Sequence, residues 1–266
     1  MAVNLRALTS WTEIHRAADH HPYALTFAPV REQPRGYAID HAVVWFAERP
    51  TGVAAAVHGT AEASRELLLS LDAIDELARV RRVEAPREAA SLIPARLGMR
   101  PVEDWEFLWT TSTPPPQPGE ERIRPLGTEH HGQINELLDV ALPKSMARPG
   151  YHGIRGWYGV LEQGQVIACG ADVERGVVSA LAGIAVRPQA RGQGLGAAVT
   201  GYLTRRLVPE RGLVGLGVML DNTPGRRLYR RLGFDQVIPR ASYEIHRDEP
   251  TPAGADPAPP ATRPVS

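Results

Sequence analysis

In the first part of the chain, apolar residues recur at helix spacing in some segments and at strand spacing in others. Leu67 and Leu68 are followed by Leu71 and Ile74 at spacings of three or four residues, which predicts a helix over 63–77. Similar patterns predict a strand hairpin over 37–47 and 52–59, strands over 80–83 and 105–110, and helices over 5–18 and 88–97, the last ended by Gly98. This order indicates a mixed α/β fold.

The later part of the chain has a similar order of elements. We predict helices over 133–141, 194–207 and 224–232, a hairpin of 156–162 with 165–173, and strands over 177–186, 213–220 and 237–245. Both parts close with a strand, a short turn and a helix that ends in Leu-Gly, at Leu97-Gly98 and Leu232-Gly233. The repetition suggests two copies of one fold. Only the second copy has a glycine-rich loop, so we do not expect the first to hold a phosphate.

A proline-rich stretch divides the chain. Residues 113–121 contain four prolines and read as a stiff linker between an N-terminal domain, 1–112, and a C-terminal domain, 122–247. Residues 248–266 are rich in proline and poor in apolar residues, so we expect a disordered tail there.

Charge and composition limit the classes of function. The formal net charge is zero, so the overall charge does not favour nucleic acid as a partner. Between residues 187 and 240, however, ten arginines stand against three acids, which suits a polyanionic ligand or else a solvated helix face. No apolar run is long enough to cross a membrane, the first residues lack a signal-peptide core, and Cys169 is the single cysteine. We therefore expect a cytoplasmic protein that does not bind membranes.

The strongest local signal is a glycine-rich turn between a strand and a helix, Arg191-Gly192-Gln193-Gly194-Leu195-Gly196. The first amides of a helix lack partners within it, and glycines let a phosphate approach the backbone closely. The spacing fits neither the dinucleotide fingerprint nor the P-loop. Taken alone, the turn is either a phosphate site or a flexible connection.

Two segments together resemble the GNAT family of N-acetyltransferases. The first is Arg191-x-x-Gly194-x-Gly196 after the strand Ile184-Ala-Val186, and the second is the stretch from Asn222 through Leu228-Tyr229 to Leu232-Gly233-Phe234, with Gly225 where alanine is common. The resemblance covers roughly residues 122–247. It implies an α+β fold, in which helices flank a mostly antiparallel sheet with splayed central parallel strands. We expect a tandem of two such domains, the N-terminal one degenerate.

The resemblance also implies a site for acetyl-CoA as the acyl donor. Ile184, Ala185 and Val186 would contact the pantetheine arm, chiefly through the backbone of Ile184 and Val186. Arg191, Gly192, Gln193, Gly194, Leu195 and Gly196 would hold the pyrophosphate. Asn222 would hydrogen-bond the arm, or cap the following helix. Tyr229 would protonate the departing thiolate, or pack in the core.

The general base and the acceptor are less determined by the sequence. Asp172, Glu174 and His152 are candidate bases, and Ser179 could position a water. Cys169 reads as a core residue, and the histidine pairs lack metal-site spacing, so no metal is expected. In the segment 142–152, Lys144, Arg148 and Tyr151 could meet an acceptor, although a plain surface loop is the alternative. We expect acetylation of a small-molecule primary amine, with an acyl-CoA sensing module and a protein N-acetyltransferase as alternatives. A homodimer is left open.

Overall fold

A single sheet of twelve strands runs through both parts of the chain. The computed structural model describes residues 4–26, 34–49, 52–151, 153–175 and 178–246. All neighbouring strands are antiparallel except two pairs, residues 52–59 with 80–86 and residues 178–186 with 214–219. The expected fold class, a mostly antiparallel sheet with central parallel strands, is confirmed.

The elements of the N-terminal half precede residue 111. They are β1 Arg6–Leu8, α1 Trp11–Ala17, α2 Pro22–Thr26, β2 Gly36–Ile39, β3 Ala42–Arg49, β4 Gly52–Gly59, α3 Ala61–Ala73, β5 Val80–Pro86 and β6 Met99–Thr110. The C-terminal half contains β7 Arg124–Leu126, α4 His131–Ala141, β8 Ile154–Glu162, β9 Gln165–Arg175, β10 Val178–Val186, α5 Leu195–Arg211, β11 Val214–Met219, α6 Thr223–Arg231 and β12 Gln236–Ile245.

The two halves repeat one topology and exchange their last strands. The strands lie in the order β1-β2-β3-β4-β5-β12-β6-β11-β10-β9-β8-β7. Strands β1 to β5 and β7 to β11 thus each lie in chain order and end in a parallel pair. Strand β6 of the first half then pairs with β11 of the second, for example Trp105 opposite Met219. Strand β12 of the second half lies between β5 and β6, with Arg240 opposite both Pro86 and Trp105. Each half therefore completes the sheet of the other.

Helices cover both faces of this sheet. On β6, Phe107 packs in a buried cluster with Tyr23 of α2, whereas the next residue, Leu108, packs in a different cluster with Leu203 of α5. Because successive strand residues point to opposite faces, α2 and α5 lie on opposite sides. The exchanged strand thus contributes to a core on each face.

Several predicted elements differ in detail from the structure. The helix expected over 5–18 is wrong at its start, since residues 6–8 pair with β2 and Ser10 caps a helix that begins at Trp11. The expected strand over 37–47 is two strands, with a turn at His41 where φ is 66°. The helix expected over 88–97 is a pair of short 3-10 turns. The predicted turns after Leu97 and Leu232 are present, because Gly98 and Gly233 both have left-handed φ values, 63° and 87°.

The proline-rich segment lies against α5. No helix or strand spans residues 113–119, and the buried Glu120 fixes the end of this stretch. Its carboxylate accepts a hydrogen bond from the N–H of Gln117 at 2.7 Å and pairs with Arg205 of α5 at 2.6 Å. The boundaries of the two domains stay a prediction. Residues 247–266 lie outside the described part of the chain, so the expected tail is not described. Among the described helices, none has the length and apolar character needed to span a membrane.

Candidate active site

The two central strands of the C-terminal half part from each other. Strands β10 and β11 pair in parallel up to Leu181 opposite Leu216. Beyond that point β10 bulges against β9, between Ala182 and Ala185. We call the space between 182–186 of β10 and 217–219 of β11 the β10–β11 gap.

Backbone groups of β10 face this gap. The N–H of Arg187 donates to the carbonyl of Ile167 on β9, at 2.8 Å. Backbone groups alternate in direction along a strand, so those of Ile184 and Val186 point away from β9. The two residues that the sequence selected thus present hydrogen-bonding groups to the gap, while Ala185 pairs with Cys169 on the other side.

The glycine loop, residues 191–196, leads directly into α5. Gly192 and Gly194 have left-handed φ values of 81° and 78°, and Gly194 is the residue before the helix. Within the described residues, no oxygen accepts a hydrogen bond from the N–H groups of Gly192, Gln193 or Gly194. The amides of the first helical turn, from Leu195 on, also lack acceptors within the helix.

The space in front of this loop is open. A Cβ atom built on Gly192 or Gly194 would meet no heavy atom within 4 Å. At Gly196 the same atom would lie 3.3 Å from Leu228 of α6, so this glycine also sets the contact between α5 and α6. Arg191 is exposed beside the free amides. This arrangement fits a pyrophosphate, which accepts amide hydrogen bonds at a helix N-terminus.

Asn222 both caps a helix and lines a pocket. Its Oδ1 accepts a hydrogen bond from the N–H of Gly225 at 3.0 Å, at the start of α6. A Cβ at position 225 would lie 2.6 Å from the Asn222 side-chain nitrogen, so the glycine makes room for this cap. The capping alternative is therefore observed. Asn222 also lines the pocket described below, which leaves its side-chain nitrogen available to a ligand.

Tyr229 is a buried residue of α6 that also lines the pocket. Its ring lies 6.1 Å from that of Phe234 in an edge-to-face arrangement, so it contributes to the core as well. Burial raises the pKa of the Tyr229 phenol to about 12. The hydroxyl is therefore protonated at neutral pH.

A pocket of about 480 Å³ joins the β10–β11 gap to the N-terminal half. The C-terminal half lines it with β10, β11, Tyr229 and the segment from Leu142 to Tyr151. The N-terminal half lines it with Thr26, Ala54, Arg82, Glu84, Glu103, Trp105 and Phe107. The sequence left open whether the N-terminal half forms a wall of the pocket and named none of these residues, because only the strand exchange places β6 beside β11, with β5 beyond β12.

The acids proposed from the sequence do not line the pocket. Asp172 is buried, and burial raises its pKa although Arg155 opposes the shift. It lies 3.9 Å from Arg155, near α5, and Ser179 lies beside its carboxyl group. Glu174 stands two residues further along β9, near the same arginine. None of these three side chains is among the pocket's lining, and His152 lies outside the described residues.

The segment after α4 places two of its three candidates at the pocket. Lys144 and Tyr151 line it. Arg148 instead pairs with Asp139 at 2.6 Å and donates to the carbonyl of Asn135, which ties the segment to α4. Cys169 is fully buried with its pKa raised to about 12 by burial, as a core thiol would be.

In the N-terminal half, a side chain of the chain itself occupies the corresponding parallel pair. Strands β4 and β5 pair as far as Ala56 opposite Glu84. The fully buried Arg240 of β12 donates from one nitrogen to the carbonyls of Val57 at 2.7 Å and Glu84 at 2.8 Å. Its guanidinium lies 4.0 Å from the centre of the Tyr23 ring. A cation thus bridges β4 and β5 from within.

Most arginines of the basic segment bind groups of the chain itself. Arg226, for example, makes two hydrogen bonds to the buried carboxylate of Glu106, at 2.6 and 2.8 Å, which fastens α6 to β6. Three exposed arginines, Arg191, Arg227 and Arg231, have no carboxylate within ion-pair distance among the described residues. The described residues also contain no group of three or more His, Cys, Asp or Glu side chains that could hold a metal ion.

Comparison with known proteins agrees with this geometry. The model of the acetyltransferase (GNAT) family matches residues 128–234, so the N-terminal half lies outside the match. No curated protein matches the chain.

Solved structures share the fold over both halves. A GCN5-related N-acetyltransferase from Sphaerobacter thermophilus superposes with a TM-score of 0.58 and 15% identity, covering 91% of this chain and 96% of that one. One from Kribbella flavida gives 0.53 and 17%, over 81% and 90%. A tandem GNAT protein from the clavulanic acid biosynthesis pathway gives 0.53 and 14%, over 92% and 100%. At these identities the likeness establishes the fold alone. Residues 128–234, which contain the β10–β11 gap, the glycine loop and Tyr229, form a domain of the GNAT acetyltransferase family.

Proposed function

We propose that the protein is an acetyl-CoA-dependent N-acetyltransferase that acetylates the primary amine of a small molecule. The observation that carries this proposal is the continuity of the β10–β11 gap with the pocket between the halves. A donor bound along β10 would present its thioester where the pocket begins. The pocket volume of about 480 Å³, which includes the gap, is within the range of small-molecule sites, and this supports a small acceptor.

The chain's own groups account for donor binding. The backbone of Ile184 and Val186 supplies hydrogen bonds to an extended amide-bearing arm. The amides from Gly192 to Gly196 and the nearby Arg191 suit the pyrophosphate. Asn222 lines the pocket, where its side chain can hydrogen-bond the pantetheine arm. Acetyl-CoA supplies the acyl group as a thioester. The neutral amine attacks its carbonyl carbon, the C–S bond breaks, and CoA leaves as the thiol after taking a proton. The amine nitrogen releases its extra proton to solvent.

Tyr229 suits the role of proton donor to the leaving thiolate. A phenol whose pKa is raised by burial keeps its proton at neutral pH, and this proton becomes useful as negative charge develops on sulfur. The residue lines the pocket from α6, which Glu106 and Arg226 fasten to β6.

The direct test is acetyl-CoA-dependent release of free thiol in the presence of a panel of primary amines. Turnover with at least one small amine is expected. Tight CoA binding with no turnover across the panel would instead favour an acyl-CoA sensing module. Turnover with peptides alone would favour a protein N-acetyltransferase.

The glycine loop offers a sharper test of the donor site. We expect Gly194→Val to weaken CoA binding at least tenfold in calorimetric titration, because its side chain would enter the open space that a pyrophosphate needs. Gly164→Val is the matched control: Gly164 has a φ of 77° and an equally open Cβ position, but it lies in the β8–β9 turn. Both variants carry the same backbone strain, so equal CoA affinity in the two would refute the assignment.

We further expect one acyl-CoA per chain. In the N-terminal half, Arg240 occupies the space between β4 and β5, and the turn before α3 has no glycine-rich loop. Calorimetric titration should give a stoichiometry close to one. A value near two would show that the Arg240 side chain yields to a second donor molecule.

A further inference from the structure

The carboxylates that line the pocket come from the N-terminal half. Among the described lining residues, Glu84 of β5 and Glu103 of β6 are the only acids. Arg82 lies between them, 3.7 Å from Glu84 and in a close ion pair with Glu103. Tyr23 donates its hydroxyl proton to the second oxygen of Glu84 at 3.1 Å. We call Arg82, Glu84 and Glu103 the charged cluster.

Among the side chains that line the pocket here, the charged cluster has one negative charge in excess; the buried Arg240, which lies over the Tyr23 ring, is not part of that lining. Its side chains are only 15% to 22% exposed, so water screens this charge little. Lys144, the other cation in the pocket lining, is on the exposed segment after α4, where solvent screens it. A positively charged ligand group therefore gains more at this end of the pocket than a neutral or anionic one.

An aromatic ring adds to the preference for a cation. Trp105 lines the pocket two residues from Glu103 on the same face of β6. Its indole N–H donates to Ser242 at 2.9 Å, which fixes the ring. A cation beside the Trp face is attracted by the ring's electron density.

Along β6, the charged cluster lies away from the point where the β10–β11 gap begins. Phe107 is opposite Gly217, the first residue of the gap on β11. Glu103 is four residues along β6 on the same face, which at the rise of a strand is roughly 13 Å away. A ligand that reaches both ends must therefore be elongated.

We propose that the acceptor is a diamine, with one amine at the β10–β11 gap and a second, cationic group held by Glu84 and Glu103. This inference rests on the proposed function and assigns the N-terminal half the recognition of the acceptor. The second ammonium group replaces part of its hydration with hydrogen bonds to the two carboxylates. The first amine, once neutral, faces the thioester.

The test compares α,ω-diamines with n-alkylamines of the same chain length, using the full-length protein. We expect kcat/KM to be at least tenfold higher for diamines of about the spanning length. Glu84→Gln and Glu103→Gln should each lower kcat/KM for diamines by roughly ten- to a hundredfold, as loss of a hydrogen bond to a charged group does, and leave that for alkylamines nearly unchanged. Glu66→Gln, which changes an exposed carboxylate of α3 outside the pocket lining, is the control and should keep the preference.

The outcomes separate this inference from the function on which it rests. Equal kcat/KM for both wild-type series would overturn the diamine assignment and leave the acetyltransferase intact. Retained diamine preference in both Gln variants would likewise overturn the role of the charged cluster. Absence of thiol release with every amine would overturn the proposed function and the inference together.

Discussion

Replacing Tyr229 with phenylalanine should lower kcat by about 10²- to 10⁴-fold, the range for loss of a general acid, with acyl-CoA affinity nearly unchanged. The substitution removes one oxygen and keeps the ring that packs on Phe234. The fold and the donor site should therefore persist. Steady-state kinetics give kcat, and calorimetric titration with CoA gives the affinity.

Tyr202→Phe is a matched control for this variant. Tyr202 is a half-buried residue of α5 that packs against the same core cluster but does not line the pocket. Removing the Tyr202 hydroxyl should leave kcat within a few-fold of wild type. If both variants behave alike, Tyr229 is a core residue and the proton comes from elsewhere.

The pH profile gives a second measure of Tyr229. Burial raises its pKa to about 12, so the phenol stays protonated through the range in which a free tyrosine begins to ionise. Wild-type kcat should therefore show no fall assigned to Tyr229 up to about pH 10, the value of an unperturbed phenol. A fall centred well below that pH and lost in Tyr229→Phe would show that the phenolate forms too easily for a proton donor.

The candidate donor site could be predicted from the sequence because its residues are close together along the chain. Gly192, Gly194 and Gly196 lie in one turn between a strand and a helix. Phosphate binding there would depend on backbone amides, whose exposure at a helix start follows from the local sequence. Asn222 and Tyr229 follow in one continuous segment, α6 with its cap. Both line the pocket, and their roles towards a bound donor stay predictions.

The pocket lining from the N-terminal half could not be predicted from the sequence, because it depends on which strands, distant along the chain, are neighbours in the sheet. Glu84 and Glu103 carry no local motif, and their meeting requires β12 to enter between β5 and β6. The acids chosen from the sequence, Asp172 and Glu174, stand on a strand of the GNAT domain. Their strand alternation directs both towards Arg155, and only the structure shows which face that is.

The beginning of the chain shows a second limit of local patterns. Leu5 to Ala18 has enough apolar residues for one helix, but Ser10 and Glu13 form a reciprocal cap that starts the helix at Trp11. The three residues of β1 are strand only because β2 is available to pair with them. Tertiary pairing overrides helix propensity there.

Replacing Arg240 with alanine should lower the free energy of unfolding by about 3 kcal/mol or more. The change removes two hydrogen bonds to the carbonyls of Val57 and Glu84 and leaves these acceptors buried, at about 1–3 kcal/mol each. It also removes the cation from the Tyr23 ring, worth about 2 kcal/mol when desolvated. Relief of a buried charge offsets part of this loss, so the net effect is smaller than the sum. Urea denaturation measures it.

Two further variants separate the causes. Arg240→Met keeps most of the volume but donates no hydrogen bond, so it should remain destabilised by about 2 kcal/mol if the two carbonyls are what matters. Arg100→Ala, an exposed arginine on the neighbouring β6, should change stability by no more than about 0.5 kcal/mol. An Arg240→Met variant as stable as wild type would mean that the arginine only fills space between β4 and β5. Arg240 lies on β12, the last strand of the C-terminal half, and bridges β4 and β5 of the N-terminal half. Its loss should therefore also weaken the connection between the halves. Arg240→Ala and Arg240→Met should then also lower kcat, because both halves line the pocket, while CoA affinity at the glycine loop stays near that of wild type and Arg100→Ala changes neither.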